Sequence, residues 1–172
     1  MKRLYILRHA KAEAEGRDGD AERPLMKRGR KAAAAMGEYL AGLAPAPRLV
    51  LCSTSLRTRE TLEAILPALH PAPQTLFEDP LYLAGTSRLL DRLQRLPEQD
   101  ESVLLIGHNP GLHQLAASLA SDASELADGF PTAALAVLRI AGAWSHLKPR
   151  QATLIDYKTP KALKSDPDFG PD

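Results

Sequence analysis

Three short apolar runs, Leu4-Tyr5-Ile6-Leu7, Leu49-Val50-Leu51-Cys52 and Val103-Leu104-Leu105-Ile106, constrain this chain more than any other feature. None contains a charged or amide side chain. A strand with one wet face alternates apolar and polar residues, so an unbroken run reads as a strand buried on both faces. Such strands belong to parallel sheets with helices packed on each side. The intervening segments fit helices over about Lys27–Leu43, Leu56–Leu69 and Ser87–Leu96, and from Asn109-Pro110, with proline at the first helical position, to about Ser121. In the second of these, Leu56, Leu62, Ile65, Leu66 and Leu69 recur at roughly helical spacing. A further short strand is expected near Gln74–Phe77. Ala133–Ile140 and Ala152–Tyr157, joined through Gly142, predict an antiparallel pair closing one sheet edge, with Trp144 covering that edge. The expected fold is a three-layer α/β/α sandwich whose central sheet is mostly parallel with an antiparallel edge. One domain is expected over residues 1–158, followed by an extended or disordered tail over 159–172, where prolines and charges alternate.

Chemistry concentrates where the three runs end. The first passes into Arg8-His9-Ala10, the second into Ser53-Thr54-Ser55-Leu56-Arg57-Thr58-Arg59-Glu60-Thr61, and the third into Gly107-His108-Asn109-Pro110-Gly111. In open α/β folds the carboxyl edge of the sheet is where ligands bind. Arg8 offers a planar fork of donors to an anion, and His9 is suited to proton transfer or nucleophilic attack near neutral pH. Arg57 falls in the first turn of a helix, where a cation opposes the macrodipole. Helix formation alone favours an acid there, so the arginine is retained for another purpose. Arg59 is the competing residue but lies on a different helical face. Two arginines and two histidines can thus converge on one phosphate, with helix N-termini adding amides.

These motifs resemble the histidine phosphatase superfamily, the phosphoglycerate mutase-like fold, and are most similar to its small SixA-like phosphohistidine phosphatases. Arg8-His9 matches the Arg-His-Gly motif with Ala10 in place of glycine. Ser53, Arg57 and Thr61 match the second motif, and His108 with Asn109-Pro110-Gly111 the third. Arg23-Pro24-Leu25 and Gly29 resemble the segment opening the first helix, although Met26 stands where threonine is usual. That substitution removes a side-chain N-cap. The resemblance spans about Lys2 to Pro160. It implies a phosphatase that hydrolyses phosphohistidine on proteins through a phosphohistidine enzyme intermediate. His9 is then the nucleophile, and Arg8, Arg57 and His108 bind the phosphate. The implied partner is a phosphorylated protein, such as a histidine phosphotransfer domain, or a small phosphorylated substrate. The alternatives are a small-molecule phosphomonoesterase of the same superfamily and a non-catalytic phosphoprotein-binding module; a mutase is disfavoured because it needs a closed site.

Composition bounds the remaining classes. With 44% hydrophobic and 25% charged residues and a net charge of +1, nothing points to nucleic acid or an acidic membrane. A single cysteine, Cys52, excludes an internal disulfide and reads as a buried core residue in a cytoplasmic protein. No cofactor is expected. No metal site is expected either, because His9 and His108 lack carboxylate or thiolate companions nearby in sequence. Many members of the superfamily carry a glutamate general acid after the third strand. Here Glu78 and Asp79 stand in that region without a clear match, and both readings stay open. A phosphate ester needs such an acid to protonate its alkoxide, whereas phosphohistidine leaves as an imidazole and can dispense with one. Lys27, Arg28, Arg30 and Lys31 form a basic cluster, either a docking patch for an acidic partner or a solvated helix face. No insertion is long enough to form a lid.

Overall fold

Each strand of the expected trio is sealed on both sides, and this sets the layering. In the computed structural model, which describes residues 1–166, β1 (Lys2–Arg8), β2 (Leu49–Ser53), β3 (Gln74–Glu78) and β4 (Ser102–Gly107) lie parallel. β5 (Leu135–Ile140) runs antiparallel to β1, and β6 (Ala152–Lys158) antiparallel to β5. The order across the six-stranded sheet is β3-β2-β4-β1-β5-β6. On β1, Leu4 and Ile6 point to one face, where α3 (Thr86–Gln94) and α4 (Gly111–Leu119) supply Leu89, Leu93, Leu112 and Leu115. Tyr5 and Leu7 point to the other, against Met36 and Leu40 of α1 (Lys27–Ala41) and Leu62 and Ile65 of α2 (Leu56–Ile65). A period of two residues therefore divides one apolar run between two cores.

Several boundaries differ from the sequence expectation, each for a local reason. α2 stops at Ile65, and a 3-10 turn over Leu66–Ala68 follows, because Pro67 has no N–H to continue the ladder. Pro110 precedes α4 as its cap rather than occupying its first helical position, and the Asn109 side-chain oxygen accepts from the His113 N–H instead. Ser55 caps α2 by accepting from the Thr58 N–H. Trp144 does not cover the β6 edge. It is fully buried among the α3-side core, and its indole N–H donates to the Asp100 carbonyl just before β4.

The tail expectation also needs correction. Residues Pro160–Lys164 form a helix, α5, with proline in its first turn and the Thr159 side chain capping it. Leu163 is the reason: it enters the α1–α2 core, and burying one leucine offsets the ordering of a few residues. The rest of that expectation, from residue 167, lies outside the described residues. No helix among those described is long and apolar enough to cross a membrane.

Candidate active site

Strand register brings the three motifs together. Arg8 on β1 lies opposite Gly107 on β4, and Cys52 on β2 lies opposite Ile106. His9, Ser53 and His108 therefore leave three adjacent strands at one level of the carboxyl edge. The His9 N–H continues the ladder to the Gly107 carbonyl at 3.1 Å, and the His9 and His108 rings lie 5.5 Å apart, centroid to centroid.

His9 is held from below. Its Nδ1 lies 2.8 Å from the Ala10 carbonyl oxygen; a carbonyl only accepts, so Nδ1 carries the proton and Nε2 keeps its lone pair. The backbone that orients it is bolted in turn. The Ala10 N–H donates to the Thr61 hydroxyl, which donates to the Arg57 carbonyl, so the second motif's threonine clamps the first motif to α2. On the other side the Lys11 carbonyl accepts from the Met26 N–H. Gly29 must be glycine at this junction, because a Cβ there would stand 2.1 Å from that same carbonyl oxygen. His108 is fixed through Nε2, 2.8 Å from the Ser53 hydroxyl.

Both rings are neutral. The His9 pKa falls from 6.5 to about 4, chiefly through burial, with the hydrogen bond to Ala10 opposing the fall and Arg57 and Arg8 adding to it. For His108 burial again dominates, followed by Arg57, and its pKa falls to about 3. Positive charge at the site thus resides in the guanidiniums. Arg57 is 2% exposed, and Arg8 is fixed by donating to the Phe130 carbonyl at 3.1 Å. The Nε of Arg8, Nε of Arg57 and Nδ1 of His108 are buried with no protein hydrogen-bond partner among the described residues. Buried donors are rarely left unspent in a folded protein, and three here belong to the expected phosphate binders.

Two residues that sequence reasoning passed over complete the site. The loop before α1 delivers Asp20: its carbonyl accepts from Arg57 at 2.7 Å, and its carboxylate accepts from the other Arg57 amine at 3.0 Å. Tyr82, from the turn after β3, donates to the same carboxylate and lies under the Arg57 guanidinium at 5.8 Å from its ring centroid. Its ring meets His108 edge-on at 5.4 Å. With hydrogen bonds from Tyr82, Arg23 and Arg57, Asp20 is held ionised well below the usual carboxylate range. The loop before α1 therefore lays an anion against Arg57. Nothing in its local sequence announces this, since the contact spans 37 residues; an aspartate three residues before Arg23 was the only available cue.

The carboxylates after β3 lie elsewhere. Glu78 is engaged at both oxygens by Arg92 of α3, at 2.7 and 2.8 Å, a fork-to-fork pair. Asp79 is exposed at the start of a 3-10 turn, with no side-chain hydrogen bond or ion pair to His9, Arg8, Arg57 or His108. The basic cluster on α1 divides: Arg30 faces Glu60 at 3.6 Å and the Leu25 carbonyl, while Arg28 and Lys31 remain in solvent. Cys52 is buried, its thiol pushed up to about 12 chiefly by burial, and takes no part.

A carboxyl-edge site with paired histidines and buried arginines on a β3-β2-β4-β1-β5-β6 sheet defines an oxyanion-handling α/β protein. The sequence profile of the histidine phosphatase superfamily (branch 1) matches residues 4–79. The proposed phosphohistidine phosphatase SixA of Nakamurella multipartitia superposes with a TM-score of 0.78 at 32% identity, over 92% of this chain and 96% of that one. The protein histidine phosphatase SixA solved with tungstate superposes equally well at 26% identity, over 94% and 99% of the two chains. The Mycobacterium tuberculosis protein Rv1276c, itself uncharacterized, is 34% identical over 165 residues, which is 90% of this chain and all of that protein. The chain belongs to the histidine phosphatase superfamily, in its SixA-like branch, and is a phosphatase of the hydrolase class.

Proposed function

We propose that the protein is a phosphohistidine phosphatase acting on phosphorylated proteins, with His9 as nucleophile and Arg8, Arg57 and His108 as the phosphate-binding set. Neutral His9, tautomerically fixed by Ala10, attacks phosphorus through Nε2 as the P–N bond of the substrate breaks, and the displaced imidazole takes its proton from solvent. The two guanidiniums and the His108 N–H hold the non-bridging oxygens, so the protein's contribution is positioning and electrostatics. Water then cleaves the phosphohistidine on His9. The observation that carries the choice of substrate is the disposition of carboxyls: Glu78 is locked to Arg92 and Asp20 is held ionised. Neither is placed to donate a proton to a leaving alkoxide, which suits a phosphoramidate and penalises an ester. That SixA was solved with tungstate, a tetrahedral oxyanion, agrees with such a pocket. The cationic role falls to arginines, and we propose catalysis that needs no added metal.

The test is steady-state phosphate release from a histidine-phosphorylated protein and from p-nitrophenyl phosphate, with and without EDTA. The phosphoramidate is expected to turn over with kcat/KM at least about a hundredfold above the ester, the lower range for one missing general acid. EDTA should change neither rate. Equal turnover of both substrates would overturn the acid-free reading, and phosphate binding without any turnover would leave a recognition module.

A further inference from the structure

Beside the phosphate site the sheet's antiparallel half and α1 leave a groove of about 900 Å³ between α1, α5 and the loop before β5. Its floor is apolar and shallow: Ala32 and Ala35 from α1, Tyr157 from β6 and Leu163 from α5. Along its rim stand Lys11, Arg28, Lys31, Lys161 and Lys164, all exposed. None forms an ion pair with a carboxylate among the described residues, although five other Arg or Lys side chains do. Among the described residues, the lining carboxylates are Glu125 and Asp128. In a chain of net charge +1, five cations around one apolar floor are a local concentration of charge, not a reflection of the total.

The groove is continuous with the chemistry. Lys11 lies two residues beyond His9, at most about 7 Å along the backbone. Its other wall contains Gly129 and Pro131, flanking Phe130, whose carbonyl fixes Arg8. A chain whose phosphorylated histidine reached His9 would run over this surface. We propose that the groove docks an acidic, partly apolar segment flanking the phosphohistidine of the substrate protein. This rests on the phosphoprotein reading above and names the substrate's surface chemistry. The cations supply steering and register, as complementary patches at transient interfaces do, and the apolar floor receives small aliphatic side chains.

Three probes test it: free phosphohistidine, and two synthetic phosphohistidine peptides that differ only in having Glu/Leu or Lys/Leu flanks. The variant is Arg28→Glu/Lys31→Glu. Both positions are exposed, outside the catalytic set, and in the first turns of α1, where acids favour the helix. The wild type should turn over the acidic peptide with kcat/KM about tenfold above the basic one, an advantage that shrinks with added salt. The variant should lose that preference while hydrolysing free phosphohistidine at the wild-type rate. Binding of the unphosphorylated acidic peptide, read by fluorescence anisotropy, reports the groove without chemistry. If wild type and variant bind it alike, or the two peptides are turned over alike, the docking proposal falls while the enzymatic reading stands. If the acidic peptide binds wild type in preference to the variant but no phosphohistidine is hydrolysed, the groove stands and the enzymatic reading falls.

Discussion

Burial, more than neighbouring charge, decides the state of the two site histidines, and a buried neutral imidazole beside two guanidiniums is poised for an incoming dianion. An NMR titration should find the His9 midpoint near 4 instead of 6.5, so the proposed nucleophile stays unprotonated down to about pH 5. A midpoint near 6.5 would mean that the ring is solvated. Replacing His9 with Ala should abolish turnover, a loss of at least about a thousandfold for a covalent nucleophile. Asp20 makes a different prediction, because its carboxylate competes for the guanidinium that the phosphate needs. Asp20→Asn removes that charge, and inorganic phosphate should inhibit the variant several-fold more tightly; weaker inhibition would show that Asp20 orients Arg57 instead. Arg8, His9, Arg57 and His108 were legible because each follows an apolar run and carries obvious chemistry. Asp20 and Tyr82 were not, since an acid in a polar loop and a tyrosine in a turn acquire meaning only when distant segments meet. Glu78 shows the reverse: its sequence position left a catalytic acid open, and Arg92, 14 residues on, claims it.

Helix ends carry the next scale of design. Met26 occupies the α1 N-cap in an extended conformation and makes no side-chain capping bond. Met26→Thr should therefore stabilise the fold by about 0.5–1 kcal/mol, read as an increased urea midpoint with unchanged slope. Gly29→Ala should do the opposite despite alanine's better helix propensity, because its Cβ meets the Lys11 carbonyl. The three motif strands and the helices between them were visible in hydrophobic period alone, as the uninterrupted runs required cover on both faces. α5 was hidden because five residues with two lysines and a proline resemble a solvated tail until Leu163 finds the α1–α2 core.

At the scale of the whole molecule, a native state that keeps two histidines neutral becomes less stable in acid. The unfolded chain titrates them near 6.5, and the folded one near 4 for His9 and near 3 for His108. Between those values the unfolded state binds more protons, so stability falls as pH is lowered from about 6.5 to about 3 and is complete above that window. Urea unfolding at pH 7 and pH 4.5 should show this loss, and the His9→Ala variant should show a smaller one. The sheet order that makes this burial also sets β1 and β2 on either side of β4, which brings motifs about fifty residues apart to one carboxyl edge. The most direct test of the account is to mix enzyme with a histidine-phosphorylated protein bearing labelled phosphate, quench in alkali within milliseconds, and map the label. The account predicts phosphate on Nε2 of His9, since Nδ1 is committed to Ala10. Label on His108, label on Nδ1 of His9, or turnover with no labelled enzyme at any time would contradict it.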